Sequence, residues 1–489
     1  MQPNVLLIVL DTARADAFEP YGAVPGSSPV VADLARRGSA FPMMVSTSCW
    51  TIPAHASLFT GLLPRAVGFA PALWTVPDLR TVVPAVMARH ADRTLAEVLR
   101  RAGYGTRALS TNPMVRGPHG FGTGFERFSE ARNVRALTLE VLREKFDRLK
   151  ASRGVNLRRR VQRWKELVRW WRATEDNGAA RAANTVREWI AQRDANTPFF
   201  WFVNLIETHN PYFPPKPYNG FSGAERWRAM EDVFRYESYL EVILTCKGDL
   251  DIPEDALLRM RHLYARSVQY LDGWIRGVFE ELDGRGLLDD TLVMITSDHG
   301  ESFYENHLVN HGWSMDQRQL HVPFVAAGPG APPARPLASL AEVPRMIAEA
   351  AGIEDHPFIE DPLPGGVAVA QKDVTFQGRD EILERARLKG VPEGDLLRFM
   401  ARTMACATDG SFKLSRIGER EALYDLARDP LEATDVSTEH PDRVRSLRAA
   451  LDATGEAPQP VTVPAGDGGE IAAEEEAEIE AQLEGLGYI

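Results

Sequence analysis

Asn4-Val5-Leu6-Leu7-Ile8-Val9-Leu10-Asp11 decides how this chain folds. The apolar run, Val5 to Leu10, is six residues long. A membrane-spanning helix needs about 20 apolar residues, whereas a strand needs only a handful. Side chains alternate across a strand, so a run that is apolar at every position has both faces covered. A central strand of a parallel or mixed sheet meets that condition. The run ends in a carboxylate, and it has neither a basic leader nor a small-residue cleavage site. It therefore reads as the start of a cytoplasmic protein and not as a signal peptide.

Outward from this strand, the chain alternates between helical and extended patterns. Pro29 to Gly38 predicts a helix and its stop, Thr51 to Leu63 a second helix with a polar start, and Thr94 to Arg101 a third. Gly103 to Leu109, Pro198 to Leu205 and Leu292 to Thr296 predict returns to the sheet. The result is an α/β chain with a central mixed sheet flanked by helices. Gly328 to Pro333 is a loop, Leu340 to Ala351 is helix-like, and a smaller C-terminal α+β unit is expected to begin near Val367. The predicted organisation is a catalytic domain over 1–366, a smaller subdomain over 367–460 and an acidic tail over 461–489. The tail holds eight acids and no Lys, Arg or His, which suits either an exposed helix or disorder. Within the first domain, 135–190 is rich in Arg, Lys, Leu and Trp, including Trp164, Trp170, Trp171 and Trp189. It reads as an amphipathic helical insertion packed on the main domain, with a membrane-surface or lid role as the alternative.

Composition narrows the function. At 489 residues, 44% hydrophobic and 25% charged, the chain can bury a large core. A formal charge of -12 argues against a general nucleic-acid binder, but leaves room for a small anionic substrate at a locally positive site. The three cysteines, Cys49, Cys246 and Cys406, form no close pair and match no disulfide or cysteine-metal pattern. No transmembrane segment is evident, and the sequence is silent on oligomeric partners.

Polar groups just beyond the carboxyl ends of strands face the crevice where open α/β sheets bind ligands. Asp11 follows the first strand, and Asp298-His299-Gly300-Glu301 follows Leu292–Thr296. Carboxylate oxygen and imidazole nitrogen suit a divalent cation such as manganese, zinc or iron, with calcium also compatible. A third piece is Cys49-Trp50-Thr51-Ile52-Pro53-Ala54-His55-Ala56-Ser57-Leu58-Phe59-Thr60-Gly61. Thr51 is placed to cap the helix, Pro53 is tolerated in its first turn, and His55 lies one turn on along the same face. The helix start would favour a bound tetrahedral anion. The plain alternative is that Thr51 only caps and His55 only packs.

These pieces, taken together, resemble the alkaline phosphatase–sulfatase superfamily in its sulfatase-like branch. The resemblance runs through Asn4–Asp16, Thr51–Gly61 and Ser297-Asp298-His299-Gly300-Glu301. It continues through His311-Gly312, Val322-Pro323-Phe324 and Glu421–Leu426 with Asp429-Pro430, in the expected order. It implies an alkaline-phosphatase-like sheet and a metal held by Asp11, Asp298 and His299. Thr51 would be the nucleophile, its oxygen also touching the metal. It puts His55 where many sulfatases carry an arginine, and His209 and His311 on the substrate or leaving-group side.

Two departures stand out. Sulfatases of this branch carry a Cys or Ser that becomes formylglycine, and threonine cannot undergo that conversion. Thr12 replaces a second acidic ligand, so its hydroxyl would coordinate weakly or orient Asp11. Cys49 is out of register and is expected to pack. The nucleophile elbow of serine hydrolases is missing at Thr51.

The expected activity is therefore hydrolysis of phosphate mono- or diesters through a phosphothreonine at Thr51. Alternatives are sulfate-ester or phosphonate-ester hydrolysis, or a metal-bearing binding protein without turnover. One metal site is favoured. Glu301, Glu305, His307 and His311 are the candidates for a second.

Overall fold

The computed structural model describes residues 2–69, 79–131, 176–236, 239–358, 363–373, 383, 386–387 and 389–454. Most of the predicted insertion at 135–190, with Trp164, Trp170 and Trp171, and the whole acidic tail at 461–489 lie outside them.

The apolar run forms β1 (Asn4–Leu10), buried along almost its whole length. The main sheet also contains β2 (Ser39–Ala40), β3 (Gly105–Ser110), β4 (Arg127–Glu130), β5 (Phe199–Leu205), β6 (Thr291–Thr296) and β7 (Phe324–Ala327). Its strand order is β2-β7-β6-β1-β5-β3-β4, with β1 near the middle. The block from β6 to β4 is parallel, and β7 runs antiparallel to β6 and β2, so the sheet is mixed as predicted.

Alternation along the strands sorts the apolar residues into two cores. Leu6, Ile8 and Leu10 of β1 join Trp201, Val203, Val293 and Ile295 on one face. Val5, Leu7 and Val9 join Phe200, Phe202, Leu292 and Met294 on the other. The first face is covered by α1 (Pro29–Arg37), α3 (Ala179–Gln192) and α4 (Glu254–Asp283). The second is covered by α2 (Thr51–Thr60), all of whose residues are buried. At 30 residues, α4 is about 45 Å long and spans the sheet. It also supplies a cap. Ser28 makes no side-chain bond at the start of α1, and Asp272 Oδ1 instead accepts from Val30 N and Val31 N, each at 3.0 Å. Trp189, the one predicted insertion tryptophan that is described, lies fully buried on α3.

The smaller C-terminal α+β subdomain pairs an antiparallel sheet with a helix. Its strands are β8 (Ala368–Lys372), β9 (Met404–Thr408), β10 (Phe412–Ile417) and β11 (Arg420–Asp425), adjacent in that order. Here α5 (Pro441–Ala453) buries Val444, Leu447 and Leu451 against Val369, Ala405, Ala407 and Leu414. No helix of the described residues is long and apolar enough to cross a membrane.

Leu7 sits at 0% exposure in the middle of β1, with strands on both sides. Leu7→Ala is expected to cost about 2–5 kcal/mol, because the rigid sheet cannot close over the cavity. A urea titration that shows no loss of stability would contradict this placement of the core.

Candidate functional site

Parallel register brings the distant carboxylates together. Val9 of β1 pairs with Thr296 of β6. Carrying that register two residues further sets Asp11 beside Asp298, on neighbouring strands about 4.8 Å apart. Both continue the side of the pleat that carries Val9, the side against which α2 packs. Asp11, Asp298 and His299 are all buried, and each offers a ligand atom within 4.8 Å of the others. Gly300 follows because the chain must pass Arg318 closely: a Cβ there would lie 1.9 Å from the Arg318 carbonyl oxygen.

The protonation pattern follows from the hydrogen bonds. His299 Nδ1 lies 3.0 Å from the Gly300 carbonyl, which can only accept, so Nδ1 carries the proton and Nε2 presents a lone pair. Burial first, then His311, hold His299 well below the usual imidazole range, so it is neutral. Asp298 Oδ1 accepts from Thr12 N at 3.1 Å and His299 N at 2.8 Å. Asp298 Oδ2 and Asp11 Oδ1 are buried with no hydrogen-bond partner among the described residues. Asp11 Oδ2 accepts from the Asn112 side-chain amide. Burial, followed by the charge of Asp298, pushes the Asp11 carboxyl well above its ordinary value, against the help of Asn112. Two orphaned carboxylate oxygens facing a neutral imidazole lone pair form a donor set that suits a divalent cation.

Thr51 corrects one expectation. Trp50, with φ -157° and ψ 161°, is the helix N-cap, and Thr51 is the first helical residue. Its hydroxyl is therefore not used for capping. Thr51 Oγ1 lies 3.3 Å from His299 Nε2, at 1% exposure. His55 is wedged among Phe59, Phe121 and Phe202. Its Nδ1 lies 3.0 Å from the Thr51 carbonyl and 3.4 Å from Asp298 Oδ2, and its Nε2 lies 3.1 Å from the Asn204 amide nitrogen. Burial holds it below the usual imidazole range. His55 thus links the first turn of α2 to Asn204 of β5.

The other two histidines close the far side. The His311 ring lies 4.5 Å from that of His299 and 4.8 Å from that of His209, centroid to centroid. His209 Nδ1 donates to the Asn210 carbonyl at 2.6 Å. His311 Nδ1 faces both carboxyl oxygens of Glu301 at 3.3 Å. Burial lowers His311 to about 3 and raises Glu301 to about 8.

Of the second-metal candidates, Glu301 and His311 sit here. Glu305 is drawn away into an ion pair with Arg14 at 2.9 Å, and His307 packs edge-on against Tyr304. Thr12 does not orient Asp11: its hydroxyl donates to the Thr208 carbonyl at 2.5 Å, while its backbone amide holds Asp298. Cys49 is fully buried, its thiol pushed up to about 12 by burial, as befits a packing residue. Asn112 and Asn204 went unnoticed in the sequence. Asn204 lies in β5, which flanks β1, whereas Asn112 lies two residues beyond β3, one strand further out.

The family model described as Sulfatase matches residues 3–353. Choline-sulfatase of Rhizobium meliloti (strain 1021) is 24% identical over 485 residues, covering 89% of this chain and 82% of that protein. Arylsulfatase K of Rattus norvegicus is 22% identical over 488 residues, covering 92% and 77%. Among solved structures, the phosphonate monoester hydrolase of Agrobacterium radiobacter superposes with a TM-score of 0.60 at 22% identity, covering 92% of this chain and 96% of that one.

Asp298→Ala removes one of the three ligand atoms and is expected to strip most bound divalent metal while leaving the two hydrophobic cores intact. Elemental analysis beside circular dichroism checks this. Wild-type metal content in the folded variant would take Asp298 out of the donor set.

Proposed function

We propose, from the premise that this chain belongs to the sulfatase family, that it is a metal-dependent hydrolase in which Thr51 attacks a phosphate or phosphonate ester. The observation that carries this reading is the Thr51 hydroxyl, buried, released from capping and 3.3 Å from His299 Nε2. A divalent cation held by Asp11, Asp298 and His299 would lower the hydroxyl pKa and neutralise charge building on the ester oxygens.

Thr51 Oγ1, its proton released to solvent, forms the new bond to phosphorus as the bond to the alcohol oxygen breaks. The departing oxygen takes up a proton from water on the side lined by His209 and His311. Water then cleaves the phosphothreonine and restores the hydroxyl. His55 holds the first turn of α2 against Asn204 of β5 and so keeps the attacking oxygen in place.

A second reading has its own support. The curated relatives named above are sulfatases, and on those names alone a sulfate ester comes first. The residue at 51 weighs the other way, because threonine cannot become formylglycine and must react through its own oxygen.

Aryl phosphate monoesters, diesters, phosphonates and sulfates, each with and without added manganese, separate the two readings. Phosphoryl turnover is expected to exceed sulfate turnover. Thr51→Ala should lower it by roughly 10³-fold or more while keeping the metal, and Thr51→Ser should recover part of it. Rapid quenching followed by peptide mass analysis should find the phosphoryl group on Thr51. Sulfate turnover without phosphoryl turnover would hand the assignment to the second reading, and near-normal activity in Thr51→Ala would falsify the covalent step.

A further inference from the structure

Behind the histidine loop lies a carboxyl that the proposed reaction does not use. Glu207 is 2% exposed and follows the end of β5 by two residues. Its Oε1 accepts the backbone N–H of Ala179 at 2.8 Å, at the first residue of α3. Its Oε2 is buried with no hydrogen-bond partner among the described residues.

Asp176 caps the same helix start, accepting from Gly178 N at 3.0 Å and Ala180 N at 2.6 Å, and it also accepts the Tyr270 hydroxyl from α4. The titratable groups that bear on Glu207 are thus Asp176 from the turn before α3 and Tyr270 from α4. Tyr218 stands behind Tyr270, 5.0 Å from its ring centroid.

The next residue reaches the opposite way. Thr208 Oγ1 donates to the Asp11 carbonyl at 2.6 Å, and the Thr208 carbonyl accepts from Thr12 Oγ1 at 2.5 Å. His209 then turns into the histidine cluster. Three consecutive residues therefore join the start of α3, the end of β1 that bears Asp11, and the substrate side.

We propose that Glu207 is a positioning residue that ties the first turn of α3 to the Thr208–His209 segment and so fixes both His209 and the Asp11 end of β1. This rests on the reading of His209 as a substrate-side group.

Electrostatics gives the arrangement a pH limit. Burial first, and then the charge of Asp176, push the Glu207 carboxyl up to about 8, against the Ala179 amide. In the unfolded chain the group titrates near about 4.3. Its contribution to stability is fully present below that value, declines as pH rises, and is lost once pH passes about 8, where the folded protein also releases the proton. Beyond that point two buried carboxylates face each other, and the segment loosens.

The test uses the full chain with Glu207→Gln and Glu207→Ala. Hydrogen exchange over residues 206–213, corrected for intrinsic rates, is followed from neutral pH to well above 8, beside kcat/KM for whichever ester turns over. Wild type is expected to lose both protection and kcat/KM as pH rises through about 8. Glu207→Ala should lose protection already at neutral pH, with roughly a tenfold fall in kcat/KM. Glu207→Gln, uncharged at every pH, should recover most of that loss and show no alkaline fall in exchange protection. A Gln variant that keeps the wild-type alkaline fall in protection, or an Ala variant with wild-type exchange, overturns the proposal. If wild type turns over no ester, the functional reading fails by itself. The exchange measurement needs no substrate and still decides the role of Glu207.

Discussion

The pairing of β1 with β6 is the constraint on which the site depends. A one-residue slip in a strand sends every side chain to the opposite face. Here a slip would turn Asp11 away from Asp298 and at the same time push Leu6, Ile8 and Leu10 into the core shaped around Val5, Leu7 and Val9, and the reverse. The close packing on the two faces that holds the register therefore also holds together two carboxylates 287 residues apart in sequence. Parallel β5, on the other side of β1, adds Asn204 and then the Glu207–His209 loop at the same end of the sheet.

Burial sets the chemistry of what the register assembles. Burial raises both carboxyls above their ordinary value, and the charge of Asp298 adds to the rise at Asp11. The histidines around them are driven neutral by the same desolvation, so they cannot supply the missing positive charge. Arg14, three residues beyond Asp11, is committed to Asp16 and Glu305. A bound cation relieves this imbalance directly, which is why the orphaned oxygens of Asp11 and Asp298 weigh more than the residue types alone.

Much of this was legible in the sequence because it follows from local pattern. The unbroken apolar run announced a doubly covered strand, and the polar residues after two such runs marked the crevice. Thr51, His209 and His311 needed the resemblance as well, since a histidine in a loop has no pattern of its own. The cap at α2 was misplaced by one residue because Thr is a good N-cap and Trp a poor one. Trp50 holds that position through its extended backbone, without a side-chain bond, and the hydroxyl next to it is released. Asn112 and Glu207 were beyond reach for a different reason. Their roles come from what β3 and α3 bring alongside them, and tertiary contacts of that kind leave no periodicity in the chain.

The C-terminal sheet belongs to the same argument, although its residues lie far from the carboxylates in sequence. Val45 and Cys49, just before Thr51, share a core with Met315 and Leu320, just after His311, and with Ala368, Ala370, Met404 and Cys406 of β8 and β9. Lys413 on β10 is fully buried, pairs with Glu432 and donates to the Met315 carbonyl at 2.6 Å. Glu432 in turn accepts from Gln317 N at 2.7 Å. A buried ion pair contributes little net stability, because desolvation offsets most of its attraction. Its consequence here is geometric: the pair bonds the Met315–Gln317 backbone at both ends, in the stretch leading out of His311. The approach to Thr51 and the exit from His311 are thus clamped by one small core. The subdomain thus packs against both segments that carry Thr51 and His311 into the site.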